Sequence, residues 1–329
     1  MKEPVAVGLD VAAKNLTVLV DGDDAPLVLP NEAKGHQQLI RRLQRKRRRA
    51  RVVLESSGVY SLDISMALHR APNVEVMVVN PRAARDFAGA FLQRSKTDAV
   101  DAQVLCEFAK RMPFVPFKPP SEKALELRTI ARRIEVLTKL RAQEKNRLHA
   151  ARASQSGQTV IDNDIQVHIR HLDRRIQILE EKAVDLVWNH PQLRQDLFLM
   201  TSVKGLARSS ALMILAELAV LPDDLTVRQL VAHAGLDPRA FDSGTSVHKP
   251  GRISRVGNKR LRHLLFLPAL VAIQHEPAVS AYYRALLRNG KKPKQAVVAV
   301  MRKLLHAIYG MRKNQTVFDG ALFYPKLAA

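Results

Sequence analysis

Four carboxylates and one serine are the residues of this chain whose types and spacing suit chemistry. Asp10 closes the β-rich run VAVGLD, and Glu55 follows the apolar run Val52–Leu54. Asp98 and Asp101 stand three apart in KTDAVDAQVLCEFAK, a stretch of helical character, so they share one helix face. If that helix crosses the strand ends, all four carboxylates converge. Clustered carboxylates repel and raise each other's pKa, and a divalent cation removes that cost. Oxygen-only ligands favour Mg²⁺ or Mn²⁺, and two such ions can clamp the attacking and leaving oxygens of a phosphoryl transfer. Ser243 sits beside Gly244 in a glycine- and proline-rich stretch flanked by Arg239, Lys249, Arg252, Arg255, Lys259, Arg260 and Arg262. A serine that reacted there would have cations at hand for a phosphodiester.

Each residue also has a plainer explanation. Asp10 could be a turn aspartate on an edge strand. Asp98 suits a helix cap, which leaves Asp101 unexplained. Ser243 could be a turn residue.

Composition narrows the partners. The 329 residues carry 53 Lys and Arg against 31 Asp and Glu, a net charge of +22. That excess points to a polyanion, with nucleic acid first and an anionic membrane surface second. Hydrophobic residues at 47% and charged residues at 26% match a globular chain with a sizeable core. One cysteine, Cys106, excludes an intramolecular disulfide and a cysteine-rich zinc site. No signal-like stretch opens the sequence, and no apolar window reaches a membrane span. The expected setting is the cytoplasm or nucleoid, without a membrane partner.

The elements that must position these residues fall into three parts. Residues 1–120 read as an α/β domain: strand, strand, helix, strand, helix, strand, helix, with runs at Val5–Leu9, Leu16–Val20, Val52–Leu54 and Val74–Val79. Sites in such sheets form at strand ends. Between Arg41 and Arg51 eight of eleven residues are basic. Arg41, Arg42, Arg45, Lys46, Arg47, Arg48 and Arg49 are candidate phosphate contacts, or else a solvated helix end. Prolines 113, 116, 119 and 120 mark the boundary.

Residues 121–190 read as two long helices. The second carries Ile165, Ile169, Leu172, Ile176, Leu179, Ala183 and Leu186 at coiled-coil spacing. This stripe serves either a dimerisation arm or a hairpin packed on itself. Residues 191–329 read as a mostly helical domain. Its Lys204–Leu206 turn fits either a phosphate-binding helix-hairpin-helix or an ordinary helical hairpin.

Four stretches in this order, GLDVAAKNL, ESSGVY, KTDAVDA and AGLDPRAFDSGTSVHKPGRISRVGNKRLRHLL, resemble one family across nearly the whole chain. It is the DEDD-type insertion-sequence transposases, the bridge-RNA-guided recombinases, with Piv-type invertases as relatives. The resemblance implies a RuvC-like, RNase-H-type N-terminal domain, a helical coiled-coil arm and a mostly α-helical C-terminal transposase domain. It implies that Asp10, Glu55, Asp98 and Asp101 bind Mg²⁺, and that Ser243 of the SG motif attacks the scissile phosphate to form a 5′-phosphoserine link. Implied partners are double-stranded donor and target DNA, a structured non-coding RNA that pairs with both, and further copies of the chain in a homodimer or homotetramer. The basic residues, including Lys249, Arg252, Arg255, Lys259 and Arg260, would grip nucleic-acid backbones while pairing chooses the sequence. Gly205-Leu206-Ala207 departs from the Gly-Ile-Gly pattern of the family; all five implied catalytic residues are present. A RuvC-like hydrolytic nuclease would need the carboxylates and not the serine. A non-catalytic nucleic-acid-binding protein would need only the charge.

Overall fold

A computed structural model describes residues 3–45, 48–56, 58, 60–90, 97–153, 159–243 and 247–325. The chain forms two compact units, Met1–Pro119 and Pro120–Ala329.

The first unit holds β1 (Val5–Val11), β2 (Asn15–Val20), β3 (Leu27–Pro30), α1 (Ala33–Gln44), β4 (Ala50–Glu55), α2 (Tyr60–His69), β5 (Val74–Val79), α3 (Pro81–Ala90) and α4 (Asp98–Arg111). The sheet order is β3-β2-β1-β4-β5. The first three strands pair antiparallel, and β4 and β5 join β1 in parallel. A mixed sheet of this order with helices on both faces is RNase-H/RuvC-like. β1 is central, so the edge-strand explanation of Asp10 does not hold. β3 is an element that the sequence reading lacks.

Strand alternation decides the two faces. Val7, Leu9 and Val11 join Val52 and Leu54 in one core with Leu39 of α1 and Ile64 of α2. Ala6 and Val53 point the other way, into a core with Ala84 of α3 and Leu105, Cys106 and Phe108 of α4.

The second unit begins with α5 (Glu122–Ala153) and α6 (Thr159–Trp188). They lie antiparallel: Ile134 and Leu137 pack against Leu172 and Ile176, and Arg141 pairs with Asp173 at 2.8 Å. At about 1.5 Å per residue the pair extends about 45 Å. Then follow α7 (Pro191–Thr201), α8 (Arg208–Leu218), α9 (Val227–His233), β6 (Pro238–Ser243), β7 (Val247–Ile253), α10 (Lys259–His275), α11 (Pro277–Arg288), α12 (Pro293–Asn314) and α13 (Gly320–Phe323). Leu127 and Ala131 of α5 and Ala183 and Val187 of α6 share one core with these helices. The base of the arm therefore folds into this unit rather than forming a part of its own. Among the described residues no single helix is long and apolar enough to cross a membrane.

A buried carboxylate ties three segments of this unit together. The Glu217 side chain on α8 is 4% exposed and takes two bonds from Arg132 on α5, at 2.8 and 3.0 Å. Its second oxygen also accepts from Asn258 Nδ2 at 2.7 Å. Asn258 in turn caps α10 by accepting from the Arg260 and Leu261 amides. These partners hold Glu217 below the usual carboxylate range against the opposing effect of burial. Glu217→Ala leaves Arg132 and Asn258 without their acceptor. The expected loss is about 3 kcal/mol, read as a fall of about 6–12 °C in the unfolding midpoint of this unit by calorimetry.

Candidate functional site

The carboxylates are brought to one place by strand period, strand register and one glycine. Asp10 shares the face of Ala6 and Gly8, and Glu55 that of Val53, by the alternation that sends Val7, Leu9, Val52 and Leu54 to the opposite side. β1 and β4 are parallel with Leu9 opposite Leu54. One step further along both strands, Asp10 and Glu55 are neighbours on the face that α4 covers.

α4 approaches closely because residue 8 has no side chain. A Cβ on Gly8 would lie 1.9 Å from the Ala102 carbonyl oxygen and 2.4 Å from the Cys106 amide nitrogen, both backbone atoms of α4. Ala102, Leu105 and Cys106 thus seat on β1, and Asp98 and Asp101 occupy the first turn of the same helix. Thr97, not Asp98, is the cap: its hydroxyl accepts from the Val100 amide at 3.3 Å. The cap explanation of Asp98 therefore fails. The positive end of the helix dipole favours both carboxylates where they stand.

The electrostatic result is visible at Asp10. Burial first, then Asp98, Asp101 and more weakly Glu55, push its carboxyl up to about 6, while a bond from the Val11 amide opposes the rise. All four acids thus share one field. Among the described residues no three His, Cys, Asp or Glu side chains are drawn together tightly enough to hold an ion. Oxygen donors, negative field and partial burial fit a hard divalent cation, and Asp10, Glu55, Asp98 and Asp101 are the residues that could hold it.

Gly8→Ala tests this construction. The clash is with backbone, so α4 must shift, and the expected cost is about 3 kcal/mol in denaturant unfolding. Gly89 on α3 is the control. Its Cβ would meet open space, so Gly89→Ala should be neutral or stabilising by about 0.5–1 kcal/mol.

Ser243 is the last residue of β6, opposite Val247 in the ladder with β7. The stretch read from sequence as a loop-rich insert thus holds two antiparallel strands; Gly244, which follows Ser243 in the sequence, lies outside the described residues. The base of the strand pair is firmly held. The Ser254 hydroxyl bonds the Asp237 carboxylate, and the Ser254 amide donates to the Asp237 carbonyl at 2.9 Å. Arg262 donates to the Ala234 carbonyl at 2.8 Å. Gly257, at φ +120°, lets the chain pass with a would-be Cβ only 2.2 Å from the His233 carbonyl. A residue at the far end of this pair is carried on a rigid root.

The basic candidates divide. Arg41, Arg45, Arg48, Arg252, Arg255 and Lys259 are exposed, and Lys249 lies on β7. Arg42 pairs with Asp23 at 2.7 Å, Arg260 with Glu135 at 2.9 Å, and Arg49 approaches Glu75 at 4.0 Å. These three answer carboxylates of the chain itself. Lys46 and Arg47 lie outside the described residues. At the Lys204–Leu206 turn, Gly205 has φ +111° and packs with a would-be Cβ 2.6 Å from the Ala272 amide nitrogen of α10. Helix packing alone requires that glycine.

Sequence reasoning missed Gly8 and Thr97. The signal for the first was a glycine inside an apolar strand, which marks close backbone approach. For the second it was a threonine three residues before the Val100 amide that it caps.

Comparisons with known proteins agree with this architecture. Residues 7–151 match a DEDD transposase family model of the IS110 type, and residues 198–284 match the model described as transposase IS116/IS110/IS902 family. The pilin gene-inverting protein of Moraxella bovis is 28% identical over 82% of this chain and 81% of its own. Putative transposase y4rJ of Sinorhizobium fredii is 26% identical over 82% of this chain and 79% of its own. An uncharacterised 44.8 kDa protein of insertion element IS116 from Streptomyces clavuligerus is 23% identical over 96% of both chains. The first model spans the N-terminal unit and runs on through most of α5, and the second lies within the C-terminal unit; the chain belongs to the IS110-type transposases, enzymes that act on DNA, and is related to the pilin-inverting proteins.

Proposed function

We propose that this transposase cuts and rejoins DNA through Ser243, that Asp10, Glu55, Asp98 and Asp101 hold Mg²⁺ for that reaction, and that a structured RNA selects the sites. The observation that carries the reading is the placement of Asp10 and Glu55 at neighbouring ends of parallel β1 and β4, on the face covered by α4, whose first turn carries Asp98 and Asp101; the upward push on Asp10, from burial first and then from the other three carboxylates, accords with it. A bound divalent ion would offset that negative field and stabilise charge developing on a scissile phosphate. The Ser243 hydroxyl would attack phosphorus and give up its proton. The bond to the 3′ oxygen breaks, a 3′ hydroxyl leaves, and the 5′ phosphate stays esterified to serine. Reversal of these steps on a new 3′ hydroxyl rejoins DNA with no nucleotide lost or gained.

The net charge of +22 and the exposed Arg41, Arg45 and Arg48 support contact with nucleic-acid backbones, including that of a guide RNA. The name of the Moraxella bovis relative describes DNA inversion, a reaction that requires strand exchange. The stripe on α6 supports assembly into a homodimer or homotetramer. Leu172, Ile176 and Ala183 are buried, while Ile165 and Ile169 toward the far end are only partly covered, beside exposed Val160 and Val167.

The test combines purified protein, donor and target duplexes, Mg²⁺ and RNA transcribed from DNA flanking the gene. Joined products should form only with both RNA and Mg²⁺ and vanish on chelation. Products formed equally without RNA would remove the guide from the account.

A further inference from the structure

We infer that the C-terminal unit contains a separate binding cleft for an unpaired nucleic-acid strand, between the root of the β6–β7 hairpin and helices α11 and α12. The cleft measures about 1240 Å³. That exceeds the roughly 300–1,000 Å³ of a small-molecule site and suits a segment of polymer.

Its walls are cationic. Seven Lys and Arg side chains line it against a single carboxylate, Asp319. Arg252 and Arg255 come from the hairpin root, Lys291 and Lys292 from the turn before α12, and Lys294, Arg302 and Lys303 from α12 itself. Asp319 is already engaged, its carboxylate accepting from the Ala321 amide at 2.7 Å. Arg252, Arg255, Lys294 and Arg302 have no ion-pair partner among the described residues. Like charges gathered with so little counter-charge among the described residues call for an anion from outside.

The floor is different in kind. Leu286, Val298, Met311 and Phe323 make it apolar, and the Tyr282 ring stands at its side with the Lys303 ammonium 4.6 Å from the ring centre. His306 also lines the cleft, and its Nε2 is buried without a hydrogen-bond partner. Burial first, then Arg302 and Lys303, hold that imidazole below its ordinary pKa, so it is neutral near pH 7 and free to bond an uncharged group. Phosphates suit the walls; a base suits the floor.

A duplex turns its phosphates outward and keeps its bases stacked, so it would meet the rim and leave the floor empty. An unpaired strand fills both, with backbone on the cations and bases against aromatic and aliphatic carbon. DNA and RNA strands share this chemistry. The cleft lies within one unit and uses none of the five proposed catalytic residues, so it stands or falls separately from the strand-transfer reading.

Fluorescence anisotropy with short unpaired DNA, unpaired RNA and a blunt duplex of equal length tests it, using full-length protein. The double variant Lys294→Glu/Arg302→Glu should weaken binding of at least one unpaired probe about tenfold or more, and the salt slope for that probe should fall by about 1.4. Duplex binding should change far less, and Lys182→Glu, exposed on α6 and outside the cleft, should affect the unpaired probe much less than the double variant. Whichever unpaired probe responds identifies the natural strand. Equal weakening of unpaired and duplex probes would reduce the cleft to general surface charge and overturn the proposal, as would no weakening at all. A second readout places 5-iodouracil in the unpaired probe. Photocrosslinks should map to peptides of α11 or α12, and crosslinks confined to the N-terminal unit would also overturn it.

Discussion

Asp10→Asn should reduce strand cleavage about a thousandfold, which is about 4 kcal/mol of barrier, while duplex DNA binding stays within a fewfold of wild type. The substitution removes one charge at the residue where the field of the other three carboxylates is registered, and it keeps the side-chain size. The same variant should be more stable than wild type when divalent ions are chelated. Burial and its neighbours hold Asp10 up to about 6 in the folded chain. Its ionised form is thus disfavoured by folding, and the penalty is fully present above about pH 6. It fades as pH falls through 6 toward the unfolded value near 4 and is absent below. Asp10 is partly exposed, so solvent screening reduces the effect to about 1 kcal/mol. At pH 8 in chelator the variant should unfold about 4 °C higher, with the gap closing by about pH 4. Loss of cleavage together with gain of apo stability separates an electrostatic metal site from a structural role for Asp10. A structural aspartate would lose stability on replacement.

Ser243→Ala should abolish joined products, a loss on the order of 10⁴-fold or more, with RNA and DNA binding retained. Its neighbours in the ladder keep their backbone pairing, and the hairpin root is held by Asp237, Ser254 and Arg262. The fold should therefore be intact, checked by an unchanged unfolding midpoint. Cleavage to free ends that survives Ser243→Ala would make this a hydrolytic nuclease. Unchanged DNA products in both Ser243→Ala and Asp10→Asn would make it a binding protein.

The two variants also show what was readable in the chain and what was not. Asp10 could be placed by its position at the end of an apolar run, and Val74–Val79 was read with its bounds because it is a short continuous apolar strand. That Asp98 and Asp101 share a helix face follows from helical period alone. The approach of that helix to β1 depended on Gly8, whose meaning emerges only when Ala102 is seen against it. β3 escaped because LVLP is four residues long, sits at the sheet edge and ends in proline. The β6–β7 hairpin escaped for a related reason. Its second strand, VHKPGRI, holds proline, glycine and three basic residues, and it pairs in a two-stranded ribbon with no apolar alternation to announce it. The arm stripe was clear, but its lower end serves the same core as α7 and α8, and periodicity does not reveal a partner. The cationic cleft was invisible because its charges come from residues 252–255 and 291–303, which meet only in the folded unit.

The measurement that tests the central claim most directly is the site of covalent attachment. Wild-type protein, RNA, Mg²⁺ and a donor duplex are stopped under denaturing conditions, digested with nuclease and protease, and the modified peptide is sequenced by mass spectrometry. The account predicts a nucleotide joined through its 5′ phosphate to Ser243, absent when Asp10→Asn protein is used. A nucleotide on any other residue, or complete cleavage with no attachment, would contradict it.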